Sequence, residues 1–203
     1  MFGGGYIMAF KVSTIFPDYF FEGRLETTTE INNLINLGIS KSFSSGITVE
    51  TSFGKISDKQ FPLHENLKKL QILIGDYFIN ESNKVLEVYK REVNICNPYL
   101  ISTNPGHSYP INIEKNRWYN ACVWLQTTTK GSHLILEDFS SKIYASPNLL
   151  QPEHLIIKPQ KNKIVFWPSH IPWGLTTNFS DMETICYICT FDAKMKKQYL
   201  TKR

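Results

Sequence analysis

The sequence has no apolar run near the roughly 20 residues that a membrane-spanning helix needs, so no such helix is expected. At the N-terminus, Met1-Phe2-Gly3-Gly4-Gly5-Tyr6-Ile7 places no basic segment before an apolar one, so secretion is not expected and the expected setting is intracellular. A second methionine opens Met8-Ala9-Phe10-Lys11, and residues 1–7 read as a flexible glycine-rich leader. Cysteine is scarce: four in 203 residues are too few for a disulfide scaffold. Cys96, Cys122, Cys186 and Cys189 lie in apolar, strand-like surroundings and read as buried free thiols. Cys186-Tyr187-Ile188-Cys189 has the C-x-x-C spacing, but strand positions three apart point to opposite faces, and no second pair completes a zinc site. A P-loop, a dinucleotide glycine fingerprint and a G-x-S-x-G elbow are also missing, which removes the nucleotide-binding and serine-hydrolase readings.

The formal net charge is +4, but it is concentrated at one end. After Asp192 there is no acidic residue, while Lys194, Lys196, Lys197, Lys202 and Arg203 follow; without these five, 17 of the 22 basic residues face 18 acidic ones. The body is near neutral, so nucleic acid is not an expected partner apart from contact by this basic tail. No other stretch interleaves basic and aromatic residues as single-strand binders do. The sequons Asn80-Glu81-Ser82 and Asn178-Phe179-Ser180 mean only surface turns without a secretory route.

Periodicity predicts two helices and then a series of strands. Val12 to Phe21 reads as a short strand broken by Pro17. Leu25 to Leu37 reads as a helix with threonine caps that Gly38 stops, and Leu63 to Ile79 as a longer one with a broad apolar face. Ser40 to Phe61 reads as a loop with a short strand. Strands are predicted at Glu92 to Ile101, Trp118 to Gln126, His133 to Glu137, His154 to Lys158, Lys163 to Trp167 and Thr184 to Phe191. Turn residues at Asn104-Pro105-Gly106, Lys130-Gly131, Pro147-Asn148 and Asn178 to Asp181 separate them. Many short strands behind a helical buttress predict a mainly β fold with N-terminal helices, an antiparallel sandwich or jelly roll (cupin-like) rather than a parallel α/β sheet. The expected organisation is a single domain over 1–203: leader 1–7, N-terminal strand and helical support 8–90, jelly-roll core 91–192 and basic tail 193–203.

The most site-like stretch is Lys163 to Gly174, K-I-V-F-W-P-S-H-I-P-W-G, where an apolar strand ends at Pro168 and a proline-stiffened turn carries His170 between indoles. This stretch resembles one in the phage and bacterial 2-oxoglutarate/iron(II) oxygenases. The resemblance also rests on Thr14 to Pro17, Leu63 to Phe78, Tyr119 to Leu125, Lys130-Gly131-Ser132 leading to Leu134 to Asp138, and Glu183 to Phe191. It implies a double-stranded β-helix with a facial triad on one iron, two histidines and a carboxylate or third histidine, leaving positions for cosubstrate and oxygen.

Carried over by position, the first ligand pair falls on Asn112-Ile113-Glu114, the distal histidine on Trp173, and the arginine that holds the cosubstrate carboxylate on Thr184. Only Glu114 keeps ligand character. The expected function is a catalytically silent jelly roll with no cofactor, a structural or interaction module whose partners are other protein subunits. The phage relatives suggest a viral assembly, with host cytoplasm or virion as the location. Two alternatives stand beside it. One is a divergent oxygenase using Fe(II) and 2-oxoglutarate, its metal moved to a set drawn from His107, Glu114, Asp138 and His170, with His133 as a further donor. The other is a small-ligand or glycan-binding barrel with Trp124, Trp167 and Trp173 as a platform.

Overall fold

The structure, a computed structural model, describes residues 11–15, 18–44, 48–57, 65–114, 116–137 and 154–200. The leader, His64, Asp138, the Pro147-Asn148 turn and the last three residues lie outside these.

Twelve strands among the described residues form two antiparallel sheets. They are β1 (Lys11–Ile15), β2 (Asp18–Arg24), β3 (Thr48–Thr51), β4 (Gly54–Ser57), β5 (Arg91–Thr103), β6 (Tyr109–Asn112), β7 (Tyr119–Gln126), β8 (Leu134–Glu137), β9 (His154–Ile157), β10 (Lys163–Pro168), β11 (Trp173–Leu175) and β12 (Thr184–Met195). The larger sheet runs β1-β2-β10-β7-β12-β5-β4-β3 and the smaller β6-β11-β8-β9. Strands β5 to β12 thus pass back and forth between the sheets, save that β8 and β9 form a hairpin within the smaller one, in the manner of a double-stranded β-helix.

Strand β7 shows why the sequence takes this form. Its residues Y-N-A-C-V-W-L are all buried, because the larger sheet is covered on both sides. Tyr119, Ala121, Val123 and Leu125 join the cluster packed under the helices, while Cys122 and Trp124 join the cluster between the sheets. The same alternation sends Cys186 inward and Cys189 to the helical side, so the C-x-x-C residues stand on opposite faces as expected.

Helices α1 (Thr29–Ser44) and α2 (Lys68–Leu86) buttress the outer face of the larger sheet. Phe78 of α2 lies against Phe191 with ring centroids 4.4 Å apart and touches Tyr119 and Phe166. Helix α1 begins four residues later than the expected start at Leu25, with the Thr28 hydroxyl accepting a hydrogen bond from Ile31 N–H at 3.3 Å. It does not stop at Gly38. A Cβ there would stand 2.8 Å from Leu67 Cγ, so Gly38 permits close approach of the short 3-10 turn before α2 rather than capping α1. Helix α2 also outlasts its expected end at Ile79, closing at Glu87 in the left-handed region.

Three further expectations change. The single strand over Val12 to Phe21 is an antiparallel pair, β1 with β2. The loop over Ser40 to Phe61 contains a hairpin, β3 with β4, which extends the larger sheet beyond β5. Tyr109–Asn112 and Trp173–Leu175, not foreseen as strands, pair with each other in the smaller sheet.

Candidate functional site

The positions singled out by sequence fall at two ends of the space between the sheets. Trp173, the first residue of β11, is the direct cross-strand partner of Asn112, the last residue of β6. The register shifts between Trp173 and Leu175, so β6 carries an extra residue opposite Gly174, and this bulge turns Asn112 to the same side as Tyr109. Glu114 stands two residues after Asn112, and its Oε1 accepts a hydrogen bond from the Tyr99 hydroxyl at 3.3 Å. Burial pushes the Tyr99 phenol well up, and neighbouring Tyr109 and Glu114 add to it. Tyr109 is raised by burial too, against hydrogen bonds with Tyr99 and Asn112 that lower it. Its ring stacks on Trp173 at 5.4 Å, 18° from parallel.

Trp167 completes this end, its ring centroid 5.5 Å from that of Trp173. Both indoles are fully buried, and neither Nε1 has a hydrogen-bond partner among the described residues. Asn120, cross-strand from Trp167, is likewise fully buried with both amide atoms unpartnered. The turn between β10 and β11 is fixed by its backbone: Ser169 N–H reaches Trp118 O at 3.1 Å, Ile171 N–H reaches Pro168 O at 3.1 Å, and Ser169 Oγ donates to Arg117 O. His170 stands exposed at its tip.

Thr184 lies at the opposite end, as the first residue of β12. It is fully buried, and its hydroxyl accepts the Ser132 N–H at 3.1 Å. Ser132 Oγ is 2.8 Å from Thr103 Oγ1, and Ser132 O accepts the Trp124 indole N–H at 3.1 Å. A Cβ on Gly131 would lie 2.6 Å from Thr184 Oγ1 and 2.2 Å from Thr127 Oγ1, so the Lys130-Gly131-Ser132 turn is wedged against Thr184. The Thr184 hydroxyl is therefore taken up by the turn that closes this end.

No protein-family model matches the chain, and no curated protein matches it by sequence. Solved structures do match. The α-ketoglutarate-dependent epimerase SnoN from nogalamycin biosynthesis superposes with a TM-score of 0.66 at 7% identity, over 87% of this chain and 80% of that one. A prolyl-4-hydroxylase from Pseudomonas putida gives 0.58 at 12% identity, over 85% and 92%. A prolyl hydroxylase from Trichoplax adhaerens, solved with a hypoxia-inducible-factor peptide, gives 0.56 at 14% identity, over 96% and 87%. The chain has the fold of the 2-oxoglutarate/iron(II) oxygenases. In this chain Asn112 and Trp173 meet at one end of the space between the sheets, with Glu114 joined to them through Tyr99, and Thr184 lies at the other.

The side chains at these positions do not fit an iron ion. Asn112 offers an amide, the Trp173 indole nitrogen is a donor with no lone pair to give, and the Glu114 carboxylate already holds the Tyr99 hydroxyl. Among the described residues, no group of three His, Cys, Asp or Glu side chains could hold a metal ion. Topology separates the relocated set. His133 and His107 sit at the Leu175–Tyr109 end of the smaller sheet, whereas Glu114 and His170 sit at the Trp173–Asn112 end. His107 Nδ1 is instead 2.9 Å from Pro105 O in its own turn, and Asp138 lies outside the described residues. The indoles proposed as a platform are also placed differently. Trp124, Trp167 and Trp173 are enclosed between the sheets, where stacking against neighbours buries them, and present no open face. Nothing in the sequence marks Tyr99, Tyr109 or Asn120 as members of the site. Tyr99 and Asn120 read as ordinary strand residues and Tyr109 as part of a connection until the fold brings them inward.

Proposed function

We infer that this chain is an oxygenase-fold module without oxygenase chemistry, working through its surfaces as a structural or interaction subunit. The observation that carries the reading is the Trp173–Asn112 pair, with Trp173 stacked on Tyr109 and packed on Trp167, where two imidazoles would be needed. Burying an indole of about 200 Å² is worth roughly 5 kcal/mol as an upper bound. Such a filling stabilises the barrel and leaves neither of the two imidazoles for iron.

The outer face of the smaller sheet supports a role in contacts. Ile135 pairs with Gly174 on one side and Ile156 on the other, giving a row with Ile111, and Ile111 and Ile156 are 43% and 54% exposed. Apolar side chains aligned on one sheet face suit another protein subunit. A place in a phage particle is the form of this role that the sequence resemblance favours.

The test is an anaerobic titration of purified protein with Fe(II) and 2-oxoglutarate. The expected result is no metal-to-ligand charge-transfer band. A saturable band would overturn the reading.

A further inference from the structure

Three separate segments meet where β5 begins and β12 ends. Met195 pairs with Arg91 and Lys194 with Glu92 across the β12–β5 ladder. Lys196 N–H donates to Lys90 O at 3.0 Å and Lys196 Nζ to Tyr89 O at 3.0 Å. Trp118 N–H donates to Phe191 O at 2.8 Å, which ties in the loop before β7. The result is a surface unlike anything continuous in the sequence, since it interleaves cations with aromatic rings.

The rings and charges are paired in space. The Arg91 guanidinium lies 4.9 Å from the centre of the Trp118 ring, and its Nε has no hydrogen-bond partner among the described residues. The Lys90 ammonium lies 5.5 Å over Tyr89, whose ring is 49% exposed and meets Tyr199 edge-on at 6.2 Å. Tyr199 belongs to α3 (Lys197–Leu200), the helical turn that follows β12. Beside Trp118 is a cleft of about 430 Å³ lined by Asn116, Arg117, Trp118, Asp192, Ala193 and Lys194. That volume is in the range of small-ligand sites.

Charge is unbalanced here although the body of the chain is near neutral. Lys90, Arg91, Arg117, Lys194, Lys196 and Lys197 outnumber the carboxylates Glu87, Glu92 and Asp192. Two of those carboxylates are already matched within the surface, Glu87 to Lys90 at 2.7 Å and Asp192 to Arg117 at 2.6 Å.

We propose that this surface, built from Tyr89 to Arg91, Asn116 to Trp118 and Lys194 to Tyr199, binds single-stranded nucleic acid. The cations meet phosphates, and the exposed tyrosine ring, flanked by an ammonium, gives a base something to stack on. An acidic peptide would use the cations but gain nothing from the ring. A duplex would keep its bases stacked away from it.

The test is fluorescence anisotropy of the full chain with a labelled oligothymidylate of about 12 nucleotides, within the site sizes that single-strand binders cover. Affinity should fall with salt, with a log–log slope near −2 if about three phosphates are engaged. Lys194→Glu with Lys197→Glu should weaken binding about tenfold and flatten that slope. Tyr89→Ala should weaken it about tenfold with the slope unchanged, and Tyr89→Phe should restore it. Circular dichroism of each variant should match the parent, since these side chains lie on the surface. Absence of binding at low salt would overturn the proposal. So would a Tyr89→Ala variant that binds normally, or a labelled polyglutamate or duplex bound as tightly as the single strand.

Discussion

Trp173 and Asn112 face each other as direct cross-strand partners where β11 begins and β6 ends, with Tyr109 stacked on the indole at 5.4 Å. An aromatic contact thus holds this end of the space between the sheets. If Trp173 has become a structural residue, removing it must cost what a core aromatic costs. Trp173→Ala is expected to destabilise the chain by about 3 kcal/mol, at the low end of the range for such truncations because the unpartnered indole N–H goes too. Urea unfolding measures this; a change below about 1 kcal/mol would show that the indole is not part of the core.

Asn120 gives the opposite expectation. It is fully buried between Trp167 and Thr190 on the neighbouring strands, with Nδ2 and Oδ1 both unpartnered among the described residues. An unsatisfied buried polar group costs about 1–3 kcal/mol, and leucine has a similar size without that cost. Asn120→Leu should therefore raise the urea midpoint. A lower midpoint would mean that the amide is hydrogen-bonded in solution.

Asp192 links stability to acid pH. Burial pushes its carboxyl up, but hydrogen bonds from Arg117 and the Cys96 thiol outweigh this and leave it below the usual value. A depressed folded-state value gives stability that is complete above the unfolded-state pKa of about 3.9 and is lost as pH falls through the folded one. The pair is partly open to solvent, with 28% and 34% of the side chains exposed, so the contribution is about 1 kcal/mol or less. The stability gap between the parent and Asp192→Asn should be constant at neutral pH and close below about pH 4.

At alkaline pH the buried tyrosines dominate. Burial, followed by the charge of Glu81, pushes Tyr77 up to about 12, and burial pushes Tyr99 and Tyr187 well above their ordinary value. Raised phenols leave stability intact below the unfolded-state pKa of about 10 and erode it as pH rises toward the folded-state values. Tyrosinate absorbance from these residues should appear together with loss of secondary structure, in one cooperative step. Ionisation of all ten tyrosines before unfolding would contradict their enclosure.

The strands carrying long apolar runs, β7, β10 and β12, were legible from sequence because the larger sheet is covered on both faces and needs apolar residues at every position. Strands β6 and β11 were not, since four and three residues interrupted by Pro110 and Gly174 carry no period. Gly38 misled because its lack of a side chain serves contact with Leu67, a demand set by tertiary packing. Within the site, Asn112, Glu114 and Trp173 were singled out together only through the family resemblance. Their own spacing says nothing until a bulge in β6 turns Asn112 toward Trp173. Tyr99 and Asn120 carry no motif, and their place follows from which strand face turns inward. The basic and aromatic surface was hidden for a related reason: its residues come from three segments, and only the β5–β12 ladder assembles them.

On the proposed reading, the oxygenase fold persists while its metal donors have been replaced. Cobalt(II) titration, followed by visible absorption, tests this most directly when the parent chain is compared with the double substitution Asn112→His and Trp173→His, which supplies two imidazoles beside Glu114. The account predicts no ligand-field bands in the parent chain and saturable bands in the doubly substituted one. Saturable bands in the parent chain, lost on Glu114→Ala, would contradict it.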